Sequence, residues 1–421
     1  MSKKYYFSSD RPSSQNKGTV MNPFTSLSAI GNLELEKGDM LLLRRGSVFK
    51  GEYIHLHNTD GILISSYATG PKPVVDAMGK GVWFQDYGCP LDNPNHRWKA
   101  EVSSTVLIFD CNDIRIKDIE VRNSGVDKNH YSDALRMPRT GIAVTARNRG
   151  TVRNITIERV YVRNVEGNVY DKHLSNGGIY FTALKPDENN PLIPRFDFIR
   201  IRGCFLKNVS RWGIAVGYTY LWEKFAGTKT TEEVFRKYGN TDIRIASSYV
   251  KDAGGDAITV MYALEPLVLA CRSDGAARDM NDHIYTEPLE RKGKVAAAIW
   301  PWKCLGARFE CNEVYDTRLN QDGMAYDADS GWGTVYRHNY SRSNEGGAVM
   351  FCLDEAIGSV YDDNVSDDDL GGVLSPSGCP DGTVSNNKIY RRESTPLLRK
   401  RMSDGKITLC NNEEIIIERK R

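Results

Sequence analysis

Short segments in which apolar and polar residues alternate dominate the hydrophobic pattern of the chain. The stretch "GIAVTARNRGTVRNITIERVYVRNV" shows the unit: a strand that begins at Gly, a turn, two more short strands and a polar turn. Alternation with a period of two is typical of β-strands, whereas helices repeat their apolar positions every three to four residues. The pattern therefore predicts many short strands and little regular helix.

The unit recurs along most of the chain. Similar segments begin at a Gly followed by an apolar residue, and they predict six equivalent positions: Ile142, Ile179, Ile214, Ile258, Met324 and Ala348. A strand-rich repeat of about 20–50 residues predicts a solenoid. Three strands per repeat predict an all-β fold, a parallel β-helix formed as one domain by residues 1–421. Polar residues after the third strand would either stack in ladders or form turns: Asn123, Asn164, Asn208 and Asp252.

Two kinds of segment depart from the repeat. Residues 1–50 are predicted to form an N-terminal cap with a short amphipathic helix and the first coil, because an uncovered coil would expose its core. Insertions at 185–195, 222–240 and 264–294 follow the same strand of consecutive coils, and the middle one has helical spacing. Since coils stack, these insertions predict the wall of a groove. The alternative is that they only cover the sheet.

Two aspartates stand in an alternating segment, "DGMAYDADSGWG". Side chains alternate along a strand, so Met324, Tyr326 and Ala328 are predicted to point inward and Asp327 and Asp329 outward. The equivalent outward positions of other coils carry small or apolar residues. The sequence therefore predicts two carboxylates on one exposed face.

Two tryptophans are predicted beside these acids. In "AAAIWPW" of the preceding coil, Trp300 and Trp302 align with Asp327 and Asp329, about 4.8 Å away. Sugar rings stack on aromatic side chains, and glycosidic cleavage uses two carboxyl groups. Because two close carboxylates repel, one pKa should rise toward the value of a general acid. The pair predicts a glycosidase site, with calcium binding or a turn-forming role as the alternatives.

Three further acids precede the same strand in their coils. Asp322 and Glu345 would lie in adjacent coils, about 5 Å apart, and Asp256 and Asp322 two coils apart, about 10 Å. The wider separation suits an inverting pair and the closer one a retaining pair. Asp322 and Asp327 would be about 16 Å apart in an extended chain, so they form a tight pair only if the chain bends. The alternative for all three acids is a role in turns.

Other aromatic residues are candidates for a sugar-binding surface. An exposed aromatic cluster is costly unless it binds something, although any single member is more often packed. The candidates are Trp212, Tyr218, Tyr220, Trp222, Trp332 and, before one of the strands, His173.

Composition and charge narrow the classes of partner. The 421 residues carry a formal net charge of +2, with 40% hydrophobic and 26% charged residues. This balance argues against a nucleic-acid or membrane-surface protein, and the longest apolar runs are too short to span a bilayer. Nine cysteines without a CxxC pair predict buried apolar residues instead of a disulfide framework or zinc site. We expect a monomer that is either intracellular or secreted with its leader removed.

Three N-terminal segments, "YYFSSDRPSSQNKGTVMNPFTSL", "KGDMLLLRRGSVFKGEYIHL" and "GILISSYATGPKPVV", resemble the opening of bacterial right-handed β-helix enzymes. These belong to the pectate-lyase-like superfamily of glycoside hydrolases and polysaccharide lyases. The resemblance implies a right-handed parallel β-helix and a carbohydrate-active enzyme. It also implies that the "DGxxxDxD" and "NEGG" elements, with Asp322, Asp327, Asp329 and Glu345, fall on one face. The "GHG" motif of polygalacturonases is absent from the sequence.

Three functions follow from these features. The leading hypothesis is a glycoside hydrolase that acts on a polysaccharide or oligosaccharide without a cofactor. The second is a polysaccharide lyase, with Lys172, His173 or Arg211 as the base and the acids as Ca²⁺ ligands. The near-neutral charge argues against the polyanionic substrate of a lyase. The third is a non-catalytic glycan-binding solenoid, which would have aromatic residues but no close acid pair.

Overall fold

Three ladders of parallel strands run along the molecule and form a parallel β-helix. The computed structural model describes residues 2–10, 16–94, 96–125, 135–227, 231–285, 294–399 and 405–418. Within these ranges every pairing between named strands is parallel, except that Val82–Asp86 pairs antiparallel with Lys99–Phe109. Stacked coils with all-parallel ladders confirm the solenoid predicted from the repeat.

The first ladder carries the strands that begin near Gly. Its strands are Ile54–His57, Lys99–Phe109, Arg139–Ala146, Gly177–Ala183, Trp212–Thr219, Ile258–Met261, Ile299–Leu305, Met324–Trp332, Gly347–Ile357 and Leu374–Ser377.

The second ladder follows it around each coil. Its strands are Lys4–Phe7, Met40–Arg44, Leu63–Tyr67, Ile114–Lys117, Thr151–Glu158, Arg195–Arg202, Asn240–Ala246, Leu267–Leu269, Arg308–Glu310, Val335–Arg337, Val360–Asp362, Asp381–Ser385 and Lys406–Cys410. The short strand Ala263–Leu264 pairs with Asn240–Ala246 beside this ladder.

The third ladder is a separate sheet of short strands. Its strands are Val48–Lys50, Val74–Asp76, Glu120–Asn123, Tyr161–Val165, Phe205–Val209, Tyr249–Ala253, Arg272–Asp274, Glu313–Tyr315, Tyr340–Arg342, Val365–Asp367, Lys388–Arg391 and Glu413–Ile416.

Inward side chains from all three ladders form one continuous core. In the first ladder, Ile258 pairs with Ile299, Ile299 with Tyr326 and Tyr326 with Val349. The predicted equivalence with Ile258 is therefore wrong by two residues for Met324, since Tyr326 holds that position. It is wrong by one residue for Ala348, since Val349 holds it. The Gly residues that guided the prediction do not occupy one register position: Gly347 pairs with Met324, two residues before the core position. The inward direction of Tyr326 and Ala328 is confirmed, since both lie in the core.

Amide side chains stack between coils. Asn208 donates to Asn164 Oδ1 in the preceding coil at 3.1 Å, and both residues have positive φ. These two of the predicted residues therefore both stack between coils and form turns. A longer ladder lies near the C-terminal end and links Asn312, Asn339, Asn364, Asn387 and Asn412. Each of its four side-chain bonds joins one coil to the next.

Helix is confined to short pieces in the described part of the chain. The insertion at 222–240 contains a 3₁₀ helix, Trp222–Phe225, and the α-helix Glu232–Tyr238, where the sequence predicts helical spacing. Thr231 caps the α-helix by accepting a hydrogen bond from the Val234 amide. At the N-terminus, a 3₁₀ helix at Leu27–Asn32 replaces the predicted amphipathic helix. Leu27 and Ile30 of this helix pack against the core, and its role as a lid stays a prediction.

Two predictions drawn from composition are tested by the fold. All nine cysteines are free, and five of them are buried. No helix in the described ranges is long and apolar enough to cross a membrane. Residues 228–230 and 286–293 of the predicted groove wall lie outside the described residues.

Candidate active site

A cavity of about 420 Å³ opens over the outward face of the first ladder. This volume lies in the range of ligand sites, about 300–1,000 Å³. Its lining combines strand residues with residues from four connections between strands: Asp92, Asn93, His96, Lys172, His173, Trp212, Met261, Val295, Trp300, Trp302, Lys303, Asp322, Asp329, Cys352 and Leu353.

One column of outward side chains forms part of the cavity surface. Met261 pairs with Trp302, Trp302 with Asp329 and Asp329 with Cys352 in successive coils. The residue that follows each member of the column has a positive φ, between 44° and 70°. These residues are Tyr262, Lys303, Ser330 and Leu353. A left-handed residue bends the strand sharply. The chain therefore turns at the same register position in four successive coils, and the column lies at this bend.

A rigid loop at 166–176 forms the opposite side of the cavity. Asn168 Oδ1 accepts hydrogen bonds from the Tyr170 and Asp171 amides, both at 2.9 Å, and Arg97 forms an ion pair with Asp171. The loop holds Lys172 with its ammonium group 5.2 Å from the Trp300 ring centre. A cation above an indole face is attracted by the ring, so this contact fixes Lys172 toward the cavity.

Besides Asp92, two carboxylates from a single coil face the cavity. Asp329 lies in the column, where Ser330 bends the chain, and Asp322 lies in the turn that precedes the same strand. This turn depends on Gly323, whose φ is +77° and where a Cβ would come within 2.8 Å of the Arg318 carbonyl oxygen. Asn320 Oδ1 accepts the Asp322 amide at 2.8 Å and fixes the acid at the entrance of the strand.

The two acids interact electrostatically. The pKa of Asp329 is raised to about 8, mainly by burial; the positive charge of Lys172 opposes this rise and the negative charge of Asp322 adds to it. A shift of this size keeps a proton on Asp329 near neutral pH. Glycosidic cleavage requires a protonated carboxyl group as the general acid, beside a second carboxyl group.

Asp327 lies beside the cavity but is nearly covered. Its exposed fraction is 3%, and it is not a lining residue. One of its carboxylate oxygens lies within 4.8 Å of a carboxylate oxygen of Asp329. The outward direction of Asp327 and Asp329 agrees with the predicted alternation, although only Asp329 faces the open space.

The structure does not bring Asp256 and Glu345 to the cavity surface. Asp256 is fully buried, forms an ion pair with buried Arg211 at 3.3 Å, and accepts a hydrogen bond from Trp300 Nε1 at 3.0 Å. Glu345 accepts hydrogen bonds from Arg318 at 3.0 Å and from the Leu319 amide at 2.6 Å. Asp256 therefore holds the Trp300 indole in place, and Glu345 fixes the turn that contains Arg318 and Leu319.

The tryptophans align as predicted. Trp302 pairs with Asp329, and Trp300, two residues earlier, lies beside Asp327. Both line the cavity, and their ring planes are at 82° to each other. Trp302 Nε1 donates to the Tyr262 hydroxyl at 2.9 Å, which fixes its ring.

The other predicted aromatic residues divide into two groups. His173 and Trp212 line the cavity, and Tyr218 supports it by stacking on His173 with ring centres 3.9 Å apart. The remaining three lie elsewhere. Trp222 donates to the Pro90 carbonyl oxygen, Tyr220 lies at a surface depression near Lys185, and Trp332 is 41% exposed in a small depression beside Lys303.

A second polar cluster at the cavity consists of Asp92, His96 and His173, whose side-chain oxygen and nitrogen atoms lie within 4.8 Å of one another. This spacing would suit a transition metal. Burial and the charges of Lys172 and Arg211 lower the pKa of His96 to about 3, and burial lowers that of His173 well below its usual value. A neutral imidazole is the form that binds a metal, and it also hydrogen bonds to hydroxyl groups, so both uses of the cluster are open to these side chains.

The chain was compared with known proteins. No family model matches it. It is 37% identical over 445 residues to a lacto-N-biosidase of Bifidobacterium longum subsp. longum, covering 94% of this chain but only 28% of that protein. Native and selenomethionine crystal structures of the GH136 lacto-N-biosidase from Eubacterium ramulus superpose with a TM-score of 0.95 at 48% identity. They cover 98–99% of this chain, which spans 68% of theirs.

The chain belongs to glycoside hydrolase family GH136. Membership confirms a carbohydrate-active parallel β-helix and the glycoside hydrolase class, and it does not favour the lyase alternative. Glycosidases use two carboxyl groups, and in this chain Asp322 and Asp329 line a cavity together with two tryptophans of the first ladder.

Several cavity residues of this GH136 chain were not predicted from the sequence. Asp92, Asn93 and His96 come from the segment between Val82–Asp86 and Lys99–Phe109, where the repeat gives no signal. The pattern "GCPLDNPNH", rich in Pro and Asn, marks a loop at this position and could have drawn attention to it. Met261 and Cys352 look like ordinary apolar positions in the sequence, and only the register shows that they flank Trp302 and Asp329.

Proposed function

We propose that this chain hydrolyses a glycosidic bond of an oligosaccharide that carries a lacto-N-biose unit, with Asp322 and Asp329 as the catalytic carboxyl pair. One observation carries the proposal: both acids face one cavity, where burial keeps a proton on Asp329 near neutral pH. The substrate class follows from the lacto-N-biosidases to which the chain is similar.

The cavity supports sugar binding beside the acids. Trp302 is the less buried of the two tryptophans and offers apolar surface to the sugar ring, and the polar cluster of Asp92, His96 and His173 lies at the same cavity. We place the sugar next to the scissile bond at Asp322 and Asp329, and the further sugar of the disaccharide at the histidine cluster.

The lyase alternative requires a base and a cation for a uronate. Arg211 is fully buried and paired with Asp256, so it does not reach a substrate. The lowered pKa of His173 keeps it neutral, so it cannot neutralise an acidic sugar. A lyase product would absorb near 235 nm, and we expect no such absorbance.

Asp322→Asn and Asp329→Asn test the catalytic pair. Each change keeps the shape of the side chain but removes its ionisable proton, and we expect each to lower kcat/KM on a lacto-N-bioside with a sugar leaving group by about 10²–10⁴-fold. On a p-nitrophenyl lacto-N-bioside, whose leaving group needs no protonation, the variant that lacks the general acid should retain most of its activity. The other variant should lose both activities.

Glu345→Gln is the matched control, because it removes a carboxylate from the next coil outside the cavity. It should keep wild-type activity. Circular dichroism and the unfolding midpoint show whether each variant is folded. Folded Asp322→Asn and Asp329→Asn variants with activity near that of the wild type would reject this pair.

We also propose that hydrolysis needs no metal ion. The cations Lys172 and Arg211 oppose a metal at the histidine cluster, and Ca²⁺ would need six to eight oxygen ligands. We expect dialysis against EDTA to leave kcat/KM unchanged. Loss of activity that Ca²⁺ or Zn²⁺ restores would contradict this proposal.

A further inference from the structure

A cysteine thiol lies against one of the proposed catalytic carboxylates. Cys352 is the register partner of Asp329 in the next coil, where neighbouring strands are about 4.8 Å apart. Its Sγ lies within 4.8 Å of carboxylate oxygens of both Asp329 and Asp327. Both residues line the cavity, so the thiol lies beside the Asp329 carboxylate across two adjacent strands.

The backbone aims this thiol by an irregularity in its strand. Asp329 pairs with Cys352, but Gly331 pairs with Ala356, so the strand Gly347–Ile357 contains two extra residues after Cys352. Leu353, the first of them, has a φ of +70°, a conformation that is uncommon for a bulky residue. Such irregularities redirect side chains, often beside active sites. The strand therefore bends where the Cys352 side chain meets the cavity.

We propose that Cys352 is a positioning residue for catalysis, whose thiol donates a hydrogen bond to the Asp329 carboxylate and thereby sets the proton balance of the Asp322–Asp329 pair. The inference rests on the proposed function, since it assigns a partner to one acid of that pair. A donor favours the ionised form of the carboxylate. Burial and the neighbouring acids raise the pKa of Cys352 well above its usual value, so the thiol stays protonated and remains a donor.

Other titratable groups also act on Asp329, and they stay in place when Cys352 is changed. They come from its own strand, the preceding turn, the second-ladder strand of its coil, the preceding coil and the loop at 166–176: Asp327, Asp322, Tyr336, Lys303 and Lys172. A change in the titration of Asp329 on substitution of Cys352 alone therefore reports the thiol.

The test compares Cys352→Ala, which removes the donor, with Cys352→Ser, which keeps one. Two or three hydrogen bonds lower a carboxylate pKa by about 2 units, so the loss of one should move the alkaline limb of the kcat/KM profile upward by about 0.5–1 pH unit in Cys352→Ala. The profile of Cys352→Ser should coincide with that of the wild type. If Cys352→Ala folds poorly, Cys352→Val removes the donor and fills the space. Cys311→Ala, at an exposed cysteine, is the control for loss of a thiol.

A second measurement separates this inference from the proposed function. The pH dependence of the unfolding free energy reports the pKa of Asp329 whether or not this residue is catalytic. In Cys352→Ala, the pH at which the free energy of unfolding stops falling should rise. The rise should equal that of the alkaline limb of the kcat/KM profile. If Asp329→Asn remains active while Cys352→Ala still shifts the stability curve, the proposed function fails and the hydrogen bond stands. Coincident curves for Cys352→Ala and wild type, or equal shifts for Ala and Ser, would overturn the inference.

Discussion

Asp329 keeps its proton near neutral pH because it is buried beside a second carboxylate. Most of the groups that set this state lie on other coils or loops, among them Lys172 and Cys352. The same residue is therefore sensitive to changes far away in the sequence. Under the proposed function its protonation affects the reaction, and its raised pKa also links it to the stability of the fold.

The stability of the protein should depend on pH through Asp329. A pKa raised from 3.8 to about 8 in the folded state means that the native protein binds this proton more tightly than the unfolded chain. The stabilisation is complete below the unfolded pKa and is lost as the pH rises toward about 8. We expect the free energy of unfolding to fall over this range in the wild type and to fall less in Asp329→Asn, as measured by urea unfolding at several pH values. Parallel curves for the two proteins would contradict the expectation.

From the sequence, the direction of the acidic side chains can be predicted better than the residues that they contact. Alternation places Asp327 and Asp329 outward, and the structure agrees. Pairing Asp322 with Asp329 requires the turn at Gly323 and the burial of Asp327, which depend on neighbouring coils. Asp256 looks like another turn acid in the sequence, but its partner Arg211 lies 45 positions earlier in a different coil.

At the scale of elements, the strands of the first ladder supply the position of the site and the loops supply its walls. The Arg211–Asp256 ion pair joins two consecutive strands beneath the cavity, and Asp256 also holds the Trp300 indole. Both charged side chains are fully buried. Such a pair adds little stability by itself, but loss of one partner leaves a buried charge without compensation.

Arg211→Met should destabilise the fold by about 3–5 kcal/mol, because it leaves the Asp256 charge unpaired. The double variant Arg211→Met/Asp256→Asn should recover part of this loss, since the Asn oxygen still accepts from Trp300 and no charge remains. Urea unfolding of the wild type, the single variants and the double variant measures the coupling. A double variant as unstable as the sum of the two single variants would show that the pair does not act as a unit.

The groove wall formed by the three insertions stays a prediction. Val295, just beyond the predicted insertion 264–294, lines the cavity, and Phe225 of 222–240 lines the small depression beside Lys303. Lys185 and Asp187 of 185–195 lie at a separate surface depression. Loop length predicts which side of the solenoid is covered, but it does not predict where each loop ends.

At the scale of the whole molecule, stacked coils behave as a one-dimensional array in which each coil contacts its neighbours. The amide ladder near the C-terminal end strengthens these contacts. Asn339 accepts hydrogen bonds from the Asn312 side chain at 3.0 Å and from the Asn312 amide at 2.8 Å, and donates to Asn364 at 3.0 Å.

Asn339→Ala should lower the free energy of unfolding by at least about 1–3 kcal/mol, because the buried donors of Asn312 lose their acceptor. Asn412→Ala, at the half-exposed end of the ladder, should cost less, since water can replace the amide there. Chemical denaturation of both variants provides the measurement. Equal losses would show that the ladder contributes through local turns instead of through its buried bonds.

The cavity gathers residues from Asp92 to Leu353, so its parts are synthesised far apart in time. On the ribosome, early coils can stack as they emerge, but the column that ends at Cys352 is incomplete until late in translation. The nascent GH136 chain would thus possess a long folded solenoid before it possesses a site. Stalled chains that end before Gly347 should resist proteolysis and yet fail to hydrolyse a lacto-N-bioside.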